Sequence, residues 1–407
     1  MEIQLACHHC DQLVSIPELK HGEHAYCPNC HTLVSRTIDY RNQKVIALSI
    51  SSLILLFSAL LYPFISFSNQ GLSQTISLLD AAKILFYQDN FFVAALIDAT
   101  IIGLPFILLA LFIPLHAGAL RLLPKKVSRF CLKTIFYLKP WVMSEIFLIG
   151  VLISMIKIMA MAEITFGLSF WAFSGFVICY SLTLYYFDSN TLWQQIADQD
   201  KVIINDALIQ RAKEQNLSAC HVCQFLTSEP VCPRCKTKTN IRNSGHIQWV
   251  LAFSFTSLIC YIPANFFPIM HTWVFSIDEP STILQGVFTL WQIGSYPIAI
   301  IIFIASICIP VGKLIILFWL CYLVSIKPPI SRQQASKAYL LIELIGKWSM
   351  IDVFVVVILV SLVQLGILMS ITIGVGAIFF AIMVITSMIA AQLFDPRLIW
   401  DKKRPSE

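Results

Sequence analysis

The stretch "KWSMIDVFVV", residues 347–356, decides how this chain is read: a lysine and an aspartate stand at the mouth of an apolar run that continues to residue 369. Upstream by 207 residues, "KPWVMSEIFLI" (139–149) puts a glutamate, Glu145, where the later copy has Asp352. Two long apolar runs entered through an acid in the same frame point to a membrane protein written twice. The composition agrees: 57% of residues are hydrophobic, 13% are charged, and mean hydropathy is +0.77. A soluble globular domain does not reach such values. The net charge of +5 is spread along a membrane chain and gives no reason to expect nucleic acid as a partner.

Runs long enough to cross ~30 Å of hydrocarbon occupy 45–67, 91–120, 140–160, 167–187, 247–270, 296–324, 348–369 and 371–393. Eight spans are expected, with tight hairpins joining the third to the fourth and the seventh to the eighth. The first 45 residues hold Cys, His and charge instead of the apolar core of a signal peptide, so the first span is expected to be a retained anchor. With both termini in the cytosol, the cytosolic segments contain 25 of the 28 basic residues. That asymmetry is what the positive-inside rule asks for, and adding or removing one helix would destroy it.

The halves repeat in direct orientation. "CPNC" (27–30) matches "CPRC" (232–235), Pro63 matches Pro268, Pro105 matches Pro310, and "FDSNTLW" (187–193) matches "FDPRLIW" (394–400). The expected fold is an all-α polytopic membrane protein of two direct repeats of four transmembrane helices, each preceded by a small cytosolic zinc-ribbon module. The expected boundaries are a module at 1–44, four helices at 45–193, a polar linker at 194–219, a second module at 220–246, four helices at 247–393, and a tail at 394–407.

Eight of the thirteen cysteines form four C-x-x-C pairs: Cys7/Cys10 with Cys27/Cys30, and Cys220/Cys223 with Cys232/Cys235. One C-x-x-C turn offers two thiolates from one side, and a second completes the tetrahedral S₄ shell that structural Zn²⁺ prefers. Two zinc sites are expected, ahead of iron, which accepts the same spacing. A closed S₄ shell leaves no position for water, so these are structural or docking elements and not catalytic centres. A thiol redox pair is the alternative, but the βαβ setting it uses is absent. The neighbouring histidines, His8, His9, His21, His24, His31 and His221, are expected to be exposed loop residues.

Five charges fall inside predicted spans: Asp98, Glu145, Lys157, Lys313 and Asp352. Each costs at least about 2.5–3.5 kcal/mol near the bilayer centre, so each needs a partner or a wet cavity. Depth suggests Lys313 with Asp352, and Asp98 with Lys157. Static pairs that fix helix register are the bland reading, and a coupling site is the functional one. Lys313 aligns with Leu108 in the first half, so a mid-span base beside an acid belongs to the second half. The prolines at 63, 105, 114, 263, 268, 297 and 310 free carbonyls that something local must satisfy. The outer segments 75–90 and 282–296 are amphipathic, suited to the membrane surface or to a partner.

The paired C-x-x-C…C-P-x-C modules, each followed by four helices, together with "GKWSMIDVFVV" (346–356) and "FDPRLIW", resemble the paraquat-inducible protein A family over nearly the whole chain. The shorter spacing in the second cysteine module departs from the family pattern. The resemblance implies an inner-membrane component of lipid trafficking in double-membraned bacteria. Its implied partners are membrane phospholipid and an MCE-domain protein forming a tunnel across the periplasm, with Lys313–Asp352 as the place where proton movement would couple to that work. A membrane scaffold or sensor with static buried ion pairs is the competing expectation. No G-x-x-x-x-G-K-[ST] sequence is present, so ATP hydrolysis by that route is not expected, nor any other enzymatic activity.

Overall fold

The structure is a computed structural model describing residues 3–16, 19–20, 22–69, 72–87, 91–159, 163–196, 211–242, 246–274, 277–292, 294, 296–326, 332–362 and 369–401. Two strand pairs open the chain, β1 (Ile3–Ala6) with β2 (Leu13–Ile16) and β3 (His24–Tyr26) with β4 (Leu33–Arg36). Then follow α1 (Arg41–Leu61), β5 (Ile65–Asn69), β6 (Leu72–Ile76), α2 (Leu78–Tyr87), α3 (Phe91–Asp98), α4 (Leu104–His116), α5 (Lys125–Leu138), α6 (Ser144–Met159), β7 (Glu163–Phe166), α7 (Leu168–Tyr186) and α8 (Ser189–Ile196). A short pair, β8 (Ser218–Ala219) with β9 (Leu226–Thr227), marks the second cysteine module. The order then returns as α9 (His246–Phe266), β10 (Met270–Val274), β11 (Ile277–Ser281), α10 (Ile283–Gln292), α11 (Tyr296–Phe303), α12 (Ile309–Ile326), α13 (Arg332–Ile345), α14 (Ile351–Leu362), β12 (Met369–Ile373) and α15 (Val375–Leu393).

Among the described residues, 7 helices are long and apolar enough to cross a membrane. The eighth expected run, 348–369, is α14, described as far as Leu362, and residues 363–368 lie outside the described residues. Helices α1 and α7 pack together in the first half, and their counterparts α9 and α15 in the second. Small residues make the approach possible: Ser52, Ala59 and Ser169 are buried in the first pair, and Ser257 donates to the Met383 carbonyl at 3.0 Å in the second. The halves meet where α6 lies against α14. Gly150 leaves the room, since a methyl there would stand 3.1 Å from Phe354 Cβ. Helix α14 is buried on every side from Val353 to Val360, which is why its sequence is apolar all round and shows no amphipathic period.

Two departures from the expected architecture concern the strands and the proline kinks. The ends of the spans away from the cysteine modules are not bare hairpins: each half carries a three-stranded antiparallel sheet, ordered β6-β5-β7 and β11-β10-β12, so the all-α description holds for the spans alone. β7 and β12 occupy the connections read as tight turns. Each sheet closes on a glycine that starts the next span. A methyl at Gly167 would lie 2.0 Å from the Pro63 oxygen, and one at Gly374 would lie 2.2 Å from the Pro268 oxygen. The amphipathic segments 75–90 and 282–296 contribute α2 and α10.

In the second span of each half one proline sits just after a π-helical turn, Ala99–Gly103 before Pro105 and Ile304–Cys308 before Pro310. A wider turn relieves the clash between the proline ring and the carbonyl four residues back and leaves carbonyls unpaired. In the first half these are taken up locally: Met143 N donates to the Thr100 oxygen at 3.5 Å and Ser144 Oγ to the Ile101 oxygen at 3.4 Å.

Candidate functional site: two four-cysteine centres and a buried lysine

Every C-x-x-C turn closes in the same way. The residue after the second cysteine donates its N–H to the carbonyl of the first: Asp11 to Cys7, His31 to Cys27, Gln224 to Cys220 and Lys236 to Cys232, at 2.8–2.9 Å. Those four residues all have positive φ, between 57° and 62°. Paying the left-handed strain of ~1–2 kcal/mol four times curls each loop so that both sulfurs face one point. In each module four sulfurs lie within 4.8 Å of one another. The close pairs, Cys7–Cys30 and Cys220–Cys235 at 3.4 Å and Cys10–Cys27 and Cys223–Cys232 at 3.5 Å, approach the ~3.8 Å edge of a tetrahedron with 2.3 Å metal–sulfur bonds. Seven of the eight cysteines are buried, with Cys30 intermediate. Hydrogen bonds from Cys10 and Cys27 bring the Cys7 thiol down to about 5, while the thiols facing Cys10 push that one far up. The donor set therefore fits a metal ion in each module, and bound zinc would supply a closed structural shell.

Sequence reasoning missed the groups that complete these centres. Thr32 Oγ1 lies 3.0 Å from Cys30 Sγ and 3.3 Å from Cys7 Sγ, and Thr237 Oγ1 lies 3.3 Å from Cys235 Sγ. Both threonines come second after a C-P-x-C turn, in "CPNCHT" and "CPRCKT", so a signal was present. Among the histidines, His9 is not an exposed loop residue. It is buried and meets the Tyr339 ring edge-on, 6.1 Å between centroids, on α13 of the second half.

Some of the ties between the modules and the helical body run crossed, beside uncrossed ones from Arg36 to Tyr185 and from Arg397 to the Ala219 oxygen. Cys7, Cys10 and Cys27 pack with Trp400, at the end of the chain. The second module rests on the first half: Asn190 Nδ2 donates to Gln224 at 3.1 Å, Arg129 Nε to the Arg234 oxygen at 2.9 Å, and Phe136 meets His221. Between them lies a buried charge network. Arg242 reaches Asp11 Oδ2 at 2.8 Å and Asp401 Oδ1 at 3.0 Å, and Lys213 bonds Asp401 at 2.8 Å. Asp11 is fully buried. Burial alone would raise the Asp401 carboxyl, but the hydrogen bonds from Arg242 and Lys213 outweigh it and hold the group below its ordinary value.

Inside the helical body the arrangement is asymmetric. Lys313 on α12 is 4% exposed, and its Nζ has no hydrogen-bond partner among the described residues. The ammonium lies against Gly346, where a methyl would stand 3.4 Å from it. Gly346 begins the 3-10 segment Gly346–Met350 that leads into α14, whose second residue is Asp352. The Asp352 side chain lies outside the described residues, as does that of Lys157, the expected partner of Asp98. Asp98 is exposed, at the end of α3 where the π-helical turn begins. Glu145 is exposed too, accepts from Ser181 Oγ at 2.6 Å, and acts on Lys347 of the other half. Of the five charges, the three whose side chains are described, Asp98, Glu145 and Lys313, make no ion pair with one another.

These features define a polytopic helical membrane protein with two four-cysteine centres and a lysine enclosed within one half of its body. The chain belongs to the paraquat-inducible protein A family, whose model matches residues 42–197 and again residues 247–404. It is 37% identical over 406 residues to the intermembrane transport protein PqiA of Escherichia coli K12, covering 99% of this chain and 97% of that one. It is 27% identical over 398 residues to the lipophilic envelope-spanning tunnel protein A of the same organism (97% and 90% covered). A probable intermembrane transport protein of Haemophilus influenzae is 26% identical over 409 residues (97% and 95% covered). All three are named for transport or an envelope tunnel. No solved structure matches the chain.

Proposed function

We propose that this chain is the inner-membrane subunit of a phospholipid transport system. In this reading it passes lipid to or from an MCE-domain tunnel across the periplasm, and proton movement at Lys313 and Asp352 is coupled to that work. The chain would be two direct repeats with both termini in the cytosol and one structural zinc ion in each cysteine module. The observation that carries the reading is the Lys313 ammonium, enclosed in the second half against Gly346 with no acceptor among the described residues. A cation so placed in hydrocarbon is costly unless an acid or water reaches it, and Asp352 follows on the segment that Gly346 begins. Protonating that acid removes the attraction, so two positions of α14 become available.

A scaffold or sensor is the second reading, favoured by the buried Asp11–Arg242–Asp401 network that fixes the modules to each other and to the chain's end. A density map of the full chain in a phospholipid bilayer separates the two. The transport reading expects a lipid-lined cavity that opens to the bilayer and reaches Lys313. A cation walled in by packed side chains, with no lipid path, would leave only the scaffold.

A further inference from the structure

Helix α5 joins the second and third spans of the first half, and it is built unlike its counterpart in the second half. Its buried side is Ser128, Leu132 and Ile135, facing the helical body. On the next edge Arg129 holds the second cysteine module through the Arg234 oxygen, and Phe136 meets His221. The edge beyond that is a single stripe at positions i, i+4, i+7 and i+11: Lys126, Phe130, Lys133 and Tyr137. Phe130 is 71% exposed and Tyr137 53%. No acid occurs anywhere in α5, and among the described residues neither lysine of the stripe has a carboxylate partner.

Exposed aromatic rings between lysines are costly in water but suited to the boundary of a bilayer, where rings sit among the glycerol groups and ammonium groups at phosphate level. Helix α5 is placed near that boundary by its neighbours, because the candidate span Phe91–His116 ends shortly before it and the helical run Lys125–Met155, of which it is the first part, continues into α6. The lysines are about 10 Å apart along the axis, which gives each its own headgroup with Phe130 between them. At the matching positions, 207 residues on, α13 has Gln333, Lys337, Leu340 and Leu344, so the alternation is not a property of the repeat.

We propose that the Lys126–Phe130–Lys133–Tyr137 edge of α5 is a binding surface for anionic phospholipid headgroups of the leaflet next to the cysteine modules. The proposal rests on the membrane placement of the chain and not on coupling at Lys313. It is tested by native mass spectrometry of the full chain titrated with phosphatidylglycerol or phosphatidylcholine, with inorganic phosphate as a competitor. Phosphatidylglycerol should bind preferentially, and Lys126→Gln with Lys133→Gln should weaken it about thirtyfold, from about fivefold per charge. Lys126→Arg with Lys133→Arg should retain it, Lys337→Gln should leave it unchanged, and millimolar phosphate should not displace it. Equal binding of the two lipids, or a phosphatidylglycerol preference that survives the double glutamine change, would overturn the proposal. Displacement by phosphate would do so as well, reducing the surface to a general anion site.

Discussion

At the scale of single residues, the glycines and the buried charges make the sharpest predictions. Gly374→Ala would drive a methyl to within 2.2 Å of the Pro268 oxygen, a backbone atom that cannot swing away. A destabilisation of about 3 kcal/mol or more is expected, read as a fall in the thermal unfolding temperature of the purified chain. Gly286→Ala, inside α10 where nothing lies within 4 Å, should leave that temperature unchanged or raise it slightly. Arg242→Ala would leave Asp11 buried without its cation and Asp401 with Lys213 alone, costing about 3–5 kcal/mol. Asp401, held below its ordinary carboxyl value, adds stability that is fully present above pH 3.8 and is lost as pH falls through its lowered value. The sequence showed the cysteines plainly because the spacing of ligands is local. It hid Asp11, Arg242 and Asp401, because their meeting depends on chain segments more than 150 residues apart.

At the scale of elements, the crossed seating of the modules can be tested directly. Removing the first centre with Cys7→Ser should raise amide exchange in Pro396–Trp400 and in α13, which carry Trp400 and Tyr339. Cys220→Ser should raise it in α5 and α8, which hold the second module through Arg129 and Asn190. Exchange confined in both variants to the half that follows the altered module would contradict the crossing. The apolar runs and their entry points were legible because hydrophobic length is a one-dimensional signal. The three-stranded sheets were not: β5, β6 and β7 are 4–5 residues long, and β7 pairs with β5 across almost 100 residues of intervening chain. The π-helical turns escaped for another reason. Pro105 and Pro310 announced a disturbed helix, yet the sequence does not say whether a proline bends it, ends it or widens one turn.

At the scale of the whole molecule, two halves with the same order of elements differ in what they carry. The first half has the basic, aromatic α5 and a second span with Leu108 where the other has Lys313; the second has the enclosed lysine and the central α14. In the proposed reading, such a division would let one half hold lipid at the membrane surface while the other responds to charge. The central claim is that the enclosed lysine serves function and not folding. Lys313→Met keeps the length of the side chain and removes its charge. The measurement is the steady-state level of the full chain together with lipid transport across the envelope, in cells that depend on the protein, for Lys313→Met and Asp352→Asn separately. Both variants are predicted to accumulate to the native level and to lose transport. Full transport in either variant, or disappearance of the protein itself, would contradict the claim.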